Sequence, residues 1–275
     1  MKQKLLTVIS GIMLGVLMMT PFEASAETKA FSKDFTSKEF GFNSIEETLI
    51  SSSKLFVYDS GLTFNYPDAV RGVYVTGHSA GGSRFNQLVE LMDNTELNAM
   101  VIDIKDDFGN LTYKPKEDSP LFKYEIGKPY IKDLRGILEV MEKKEIYPIA
   151  RVVVFKDTEL AERKPELSFV ENGSVWKNGR GEAFVNPFMQ EVWDYNVEVA
   201  IEAAKMGFKE VQFDYVRFPE GFEKRDTTLT YGKGKYEASE LDSTQRRVSA
   251  VTDFVAYARE KLKPYGVQVS VDIFG

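Results

Sequence analysis

The chain has 275 residues, of which 43% are hydrophobic and 28% charged, a composition typical of a globular protein with one large α/β domain. Its net charge of −7 argues against nucleic acid or an anionic membrane surface as a partner. The absence of cysteine excludes disulfides, and a single histidine leaves almost no basis for a zinc site. No residue pattern indicates a cofactor or a bound metal.

Residues 1–26 have the pattern of a secretory signal peptide. Lys2 and Lys4 form a basic start, residues 5–19 are apolar, and Ala24-Ser25-Ala26 resembles a cleavage site. The alternative is an N-terminal membrane anchor, but the apolar run is short for a bilayer span and Pro21 follows it. We therefore expect a secreted protein, free or associated with the cell wall, without membrane contact after signal removal.

The segment 27–69 is polar and irregular, and we interpret it as a linker and N-terminal embellishment. From residue 70 onward, short apolar strands alternate with helical patterns, which predicts repeated β-α units and a parallel sheet. The predicted strands are 72–76, 100–105, 148–155, 211–216 and 267–273. The predicted helices are 83–92, 131–144, 187–206 and 244–262.

The helix and strand between Asn186 and Pro219 organise the rest of the domain. Asn186 and Pro187 suit a helix start, and Gly207 suits its end. The strand that follows ends near Asp214. Ligands bind at the C-terminal ends of strands in parallel α/β folds, so Asp214 is the leading candidate for a functional carboxylate.

Alternation along the five strands separates an apolar face from a polar one. The apolar set, which includes Ile102, Val152 and Phe213, suits packing under helices. Ionisable side chains on the other face are costly to bury unless they are paired or functional. We expect either a paired interior network or a polar site at a barrel mouth, and favour the site; the polar set is Tyr74, Asp103, Lys105, Arg151, Gln212, Asp214, Gln268 and Asp272.

Two long connections, 156–185 and 220–243, follow the C-terminal ends of strands, where loops form lids or substrate walls. In the first, Asn172-Gly173 and Asn178-Gly179 are turn signals on either side of Trp176. Trp176 is therefore predicted to be an exposed platform for stacking on sugar rings.

Two other patterns suggest different chemistry. Gly77-His78-Ser79-Ala80-Gly81 fits the nucleophile elbow of a serine esterase, but that triad needs a histidine after the serine and the chain has only His78. Asp103, Asp106 and Asp107 could suggest a divalent cation, but the spacing of a calcium loop is absent. Asp106 and Asp107 more plausibly start a turn through Gly109.

Three segments, 70–77, 97–106 and 211–219, together resemble a bacterial family of glycoside hydrolase-like proteins with a TIM-barrel fold. The resemblance covers nearly all of 70–275, and Val211-Gln212-Phe213-Asp214-Tyr215-Val216-Arg217-Phe218-Pro219 is its most specific part. It implies polysaccharide or peptidoglycan-type substrates. A (β/α)8 barrel needs eight strands and about five are predicted, so we expect a partial, C-terminally truncated barrel rather than an open doubly wound sheet.

We therefore expect an α/β protein of TIM-barrel type that hydrolyses glycosidic bonds with paired carboxylates. The candidate catalytic residues are Asp214, Asp272 and Asp103. The candidate substrate-binding residues are Tyr74, Lys105, Arg151, Gln212, Tyr215, Arg217 and Trp176. The alternative is a non-catalytic carbohydrate-binding or cell-envelope protein, in which aspartates would be individually salt-bridged instead of forming a catalytic pair.

Overall fold

The computed structural model describes residues 57–272. The predicted signal peptide, most of the predicted linker and the end of the fifth predicted strand lie outside these residues. The main sheet contains five parallel strands in the order β1-β2-β3-β6-β7. Their bounds are β1 Gly72–Val75, β2 Ala99–Lys105, β3 Tyr147–Val153, β6 Glu210–Asp214 and β7 Gln268–Val271.

The five predicted strands are thus confirmed, as is their sequential order. Each parallel pair is joined through helical structure, the connection that parallel strands require. Sequential parallel strands with intervening helices are the arrangement of a TIM-barrel type fold, of which the described residues contain five strands.

The four predicted helices are present and begin and end within three residues of their predicted bounds, and two short helices, Gly77–Ala80 and Thr158–Arg163, were not predicted. The α-helices are α1 Gly77–Ala80, α2 Arg84–Asp93, α3 Leu134–Lys143, α4 Thr158–Arg163, α5 Gln190–Met206 and α6 Ser243–Leu262. Helix α5 begins later than predicted, because the Asn186 side chain accepts from the Phe188 backbone N–H and donates to the Gly232 carbonyl. Asn186 therefore stabilises the turn before α5. Gly207, with φ of +125°, ends the helix as predicted.

The predicted difference between the two sheet faces is also present. Ile102, Val152 and Phe213 are fully buried on the face that the helices cover. Burial of each such side chain contributes about 1.5–3 kcal/mol to stability. On the opposite face, residues of the polar parity line an open trough of about 680 Å³, including Tyr74, Arg151, Gln212, Ser270 and Asp272.

Lys105 departs from this alternation because β2 contains a register shift. Asp103 pairs with Arg151, yet Lys105 pairs with Val152, so one extra residue is accommodated between Asp103 and Lys105. A bulge of this kind changes the face on which the following side chain points. Lys105 consequently lies on the helix-covered side, fully buried.

The long connection after β3 contains a small hairpin, β4 Val170–Glu171 and β5 Ser174–Val175. Asn172 and Gly173 form its turn with φ of +51° and +80°, values typical of a two-residue type I′ turn. The hairpin packs with the connection after β6 through a buried cluster formed by Phe169, Trp176, Phe184, Phe222 and Leu229. The two predicted loops therefore form one wall beyond the sheet.

Residues 57–69, within the predicted linker, pack on the domain. Leu62 is buried in the main core, the Ser60 carbonyl accepts from Arg135 at 2.7 Å, and the Tyr58 N–H donates to the Pro264 carbonyl at 2.8 Å. None of the helices within 57–272 is long and apolar enough to cross a bilayer.

Candidate active site

Arg151 is the centre of a charged cluster at the C-terminal end of the sheet. Its Nη1 donates to Asp103 Oδ1 at 2.7 Å, and its Nε and Nη2 donate to Asp214 Oδ2 at 2.9 and 2.5 Å. A third carboxylate, that of Asp107, lies 3.3 Å from Nη1. Strand pairing explains the arrangement, because Arg151 on β3 lies between Asp103 on β2 and the end of β6. One guanidinium thus orients three carboxylates.

Asp103 lies beneath this arginine and is almost completely buried. Its Oδ2 accepts from the Tyr74 hydroxyl at 2.6 Å, and 3% of its side chain is exposed. Burial raises the pKa of Asp103, although Tyr74 and Arg151 act in the opposite direction. Asp103 does not line the trough on the open face of the sheet, so its contacts suit a positioning role for Arg151 and Tyr74.

Asp214 is held in place but remains accessible, with 19% of its side chain exposed. Its Oδ1 accepts from the Tyr215 backbone N–H at 2.6 Å, while Oδ2 accepts from Arg151. Tyr215 has φ of +53°, a left-handed conformation that costs a non-glycine residue on the order of 1 kcal/mol. Such a strained conformation persists only where surrounding contacts fix it, and here it occurs in the residue next to Asp214.

Lys156 connects this cluster to the loop wall. Its ammonium lies 3.3 Å from Asp107, 2.9 Å from Glu182 and 3.3 Å from the Tyr215 hydroxyl. Burial acts against these partners, but the net effect raises the pKa of Lys156. Burial likewise acts to raise the pKa of Glu182, yet hydrogen bonds from Asn178, Lys156 and Arg180 lower it to about 2. The loop wall is therefore tied electrostatically to the strand ends.

A central cavity of about 450 Å³ lies next to Arg151, Asp214 and Tyr215. It shares Arg151 and Asp272 with the trough on the sheet, and Arg180, Arg217 and Glu220 with a side cavity of about 290 Å³. The residues that line the central cavity are Arg151, Arg180, Asp214, Tyr215, Val216, Arg217, Glu220 and Asp272. The trough, the central cavity and the side cavity together form one continuous groove. Two carboxylates at the ends of neighbouring strands, Asp214 and Asp272, face this groove.

A family described as "Putative glycosyl hydrolase domain" matches residues 72–275, the span that contains the whole sheet. The chain belongs to this family. No curated protein matches the sequence. The match confirms the family resemblance that the strand motifs indicated.

Solved structures with a similar fold are also found. A hypothetical protein from Ruminiclostridium thermocellum is 32% identical, with a TM-score of 0.63, and the match covers 74% of this chain and 97% of that one. A chitobiase from Flavobacterium johnsoniae has a TM-score of 0.52 at 13% identity, covering 74% of this chain and 31% of the enzyme. An exo β-N-acetylglucosaminidase from Vibrio harveyi has a TM-score of 0.50 at 13% identity, covering 74% and 35%. The last two likenesses concern the fold alone.

The glycosyl hydrolase domain places most of the predicted site residues along the groove. Asp214, Asp272, Tyr215 and Arg217 line the central cavity, and Tyr74, Arg151 and Gln212 line the trough. Phase along the strands was the signal for Tyr74, Arg151, Gln212, Asp214 and Asp272, whereas Tyr215 and Arg217 belong to the motif that follows the strand. The sequence did not identify Asp107, Lys156, Arg180, Glu182 and Glu220 as site residues, and all five belong to loops beyond the strands.

Lys105 does not line the groove, and its predicted role in substrate binding is corrected. Its ammonium contacts Asp157 at 2.7 Å and donates to Asn196 at 2.9 Å and the Val153 carbonyl at 2.7 Å. Burial lowers the pKa of Lys105, whereas Asp157 raises it in partial compensation. These contacts connect β2 to the start of α4 through Asp157 and to α5 through Asn196.

Trp176 is not the exposed platform that the turn signals predicted. Only 6% of the residue is exposed, because the hairpin turns its ring into the aromatic cluster with Phe169 and Phe184. One part of the ring reaches the side cavity, where Arg225 lies 5.2 Å from its centroid. Trp176 therefore forms part of a cavity floor.

Ser79 lacks the geometry of a nucleophile elbow. It lies within α1, where its backbone N–H donates to the Thr76 side chain at 3.2 Å and its hydroxyl contacts that of Thr76 at 3.1 Å. The elbow requires a strained turn, but Ser79 is in a helical turn and His78 packs on Tyr130. The esterase alternative gains no support.

The acidic residues considered for a divalent cation have other partners. Asp106 accepts from the Phe108 and Asn110 backbone N–H groups, both at 2.9 Å, and forms the predicted turn through Gly109. Asp103 and Asp107 contact Arg151. Within residues 57–272, no group of three or more acidic or histidine side chains is arranged to hold a metal ion.

Proposed function

We propose that this domain is a secreted glycoside hydrolase that cleaves a bacterial cell-envelope or extracellular polysaccharide. Asp214 acts as the nucleophile or general base, and Asp272 as the general acid. Family membership supports the reaction class. The N-terminal sequence pattern supports secretion, and the open groove supports a polymeric substrate.

The observation that carries the proposal is the way Asp214 is held at the cavity. Arg151 donates two hydrogen bonds to one of its oxygens, and the Tyr215 N–H donates to the other. A nucleophile or base must be fixed in orientation toward the reacting carbon, and these three donors fix the Asp214 carboxylate at the cavity.

Asp272 meets the different requirements of a general acid. It follows β7, its backbone N–H donates to the Phe213 carbonyl at 2.8 Å, and its side chain is exposed to the same cavity as Asp214. Among residues 57–272 it has no ion-pair partner, whereas Asp214 has Arg151. Its carboxyl group is therefore free to form a hydrogen bond with a glycosidic oxygen in the cavity.

The reaction then follows from these two positions. A glycan in the groove presents its glycosidic oxygen to Asp272, which donates a proton as the bond to the anomeric carbon breaks. Asp214 attacks that carbon or deprotonates a water that does so. Arg151 keeps Asp214 oriented, and Asp103 with Tyr74 keeps Arg151 oriented.

The test is release of new reducing ends from bacterial cell-wall and exopolysaccharide fractions by the full chain. We expect wild type to release them and Asp214→Asn to lose at least about 100-fold in rate. Asp93→Asn is the matched control, since Asp93 forms a partly exposed pair with Lys144 away from the groove. Equal rates for wild type and Asp214→Asn would overturn the assignment.

A non-catalytic carbohydrate-binding protein is the second candidate, and one observation favours it. Asp103 and Asp214 are both salt-bridged to Arg151, as expected of a structural network. The same assay separates the two functions. A binder retains polysaccharide while wild type releases no reducing ends from any fraction.

A further inference from the structure

The side cavity of about 290 Å³ has a charge opposite to that of the whole chain. Its lining includes Arg180, Arg217 and Arg225 but one acidic side chain, that of Glu220. The chain carries a net charge of −7, so this concentration of arginine does not follow from composition. The cavity shares two of these arginines with the central cavity that contains Asp214 and Asp272.

We propose that this cavity binds the carboxylate of an acidic sugar, so that the polysaccharide substrate contains uronic acid residues. The inference rests on the proposed function, because the side cavity is treated as a sugar subsite next to the cleavage point. Guanidinium groups present a planar fork of donors that matches a carboxylate.

Arg180 is fixed at one side of the cavity by a tight loop. The Asn178 side chain accepts from the backbone N–H groups of Arg180 and Glu182 at 2.9 and 3.0 Å. Glu182 in turn accepts from Arg180 Nε at 2.9 Å and from Lys156 at 2.9 Å. One ion pair through Nε leaves the other donors of the Arg180 guanidinium for a ligand.

Arg225 is held at the other side without a carboxylate partner among residues 57–272. Its guanidinium lies over the Trp176 ring at 5.2 Å, while its backbone N–H donates to the Phe222 carbonyl at 2.8 Å. An arginine that stacks on an aromatic ring keeps its in-plane donors available.

The floor between these arginines contains two aromatic rings that are almost completely covered. Trp176 and Phe184 are 6% and 2% exposed and both line the cavity. Guanidinium groups lie over these rings, that of Arg225 at 5.2 Å from Trp176 and that of Arg217 at 5.9 Å from Phe184. The rings therefore position the arginines, and a sugar carboxylate would bind to the guanidinium donors between Arg180 and Arg225.

The experiment measures equilibrium binding of the full chain, carrying Asp214→Asn to prevent turnover, to polygalacturonate, alginate and hyaluronan. Carboxyl-reduced forms of the same polymers are the matched ligands, and poly(glycerol phosphate) is the phosphate-bearing alternative. We expect binding to at least one uronate polymer and loss of it on reduction. Adding Arg225→Gln or Arg180→Gln should weaken that binding about 10- to 100-fold. Arg84→Gln, at an exposed site on α2, should not.

Equal affinity for native and reduced polymers, or no effect of both arginine substitutions, would overturn the proposal. Binding to none of the three uronate polymers, or to poly(glycerol phosphate) alone, would overturn it as well. The two proposals can fail separately. If the hydrolase proposal is wrong, wild type releases no reducing ends, and the binding measurement with the uronate polymers is unaffected.

Discussion

Arg151 and Asp214 form a two-donor contact in which Nε and Nη2 both reach Oδ2, at 2.9 and 2.5 Å. The contact joins β3 to the end of β6 and leaves the other oxygen of Asp214 to the Tyr215 N–H. The same guanidinium reaches Asp103 at 2.7 Å. The position of the candidate nucleophile or base therefore depends on a planar side chain with several donors.

Replacement of Arg151 by lysine should show this dependence. A lysine keeps the charge but cannot contact Asp103 and Asp214 with the same geometry. We expect stability to fall by about 2–3 kcal/mol, since two carboxylates lose part of their pairing, and turnover to fall at least about tenfold. Urea unfolding and reducing-end release measure the two effects.

The control for this substitution is Arg71→Lys. Arg71 pairs with Glu96 at 3.8 Å, with 54% and 87% of the two side chains exposed, so its replacement should change stability little. Wild-type activity and stability in Arg151→Lys would show that the planar contact is unimportant.

Lys105→Met tests the corrected position of this lysine. Asp157 would be left as a buried charge without its partner, which costs about 3–5 kcal/mol. Adding Asp157→Asn should recover part of that loss, although it weakens the cap of α4 at the Leu160 N–H. The measurements are urea unfolding of both variants and KM of the folded enzyme.

KM should be unchanged by Lys105→Met, because the side chain lies on the helix-covered face and not in the groove. A raised KM with unchanged stability would contradict the structural role and restore Lys105 as a substrate-binding residue.

Glu182 should make stability depend on pH in the acid range. Hydrogen bonds from Asn178, Lys156 and Arg180 outweigh the effect of burial and lower its pKa from 4.5 to about 2. The folded state thus favours the ionised form. The resulting stability is fully present above the unfolded pKa near 4.5 and is lost as the pH falls toward 2.

We expect Glu182→Gln to be less stable than wild type by about 2 kcal/mol at neutral pH, with the difference shrinking below about pH 4.5. Urea unfolding across this range measures it. Glu139→Gln is the control, because Glu139 forms an exposed pair with Arg135 on α3. A difference that grows toward low pH would have the wrong sign.

Strand phase was enough to predict much of the groove. Tyr74, Arg151 and Gln212 lie on one face of the sheet because alternate residues of a strand point the same way. Asp214 was found from its place at the end of a buried strand. Both inferences use periodicity, which the sequence contains directly.

The remaining features depend on contacts between distant segments. A one-residue bulge after Asp103 moved Lys105 to the other face, and the apolar pattern of β2 does not reveal it. Turn signals located the hairpin, but not that Trp176 would pack inward on Phe169 and Phe222. Glu182 and Lys156 meet only because the loop wall folds over the strand ends.

The most direct measurement is chemical rescue of Asp214→Ala with sodium azide, on a substrate that wild type cleaves. Azide is a small anion that can occupy the space left by the carboxylate and attack the sugar carbon in its place. We predict that Asp214→Ala alone is inactive and that azide restores cleavage with a glycosyl azide as product. Wild-type turnover by Asp214→Ala without azide would contradict the account, because no carboxylate at this position would then be needed.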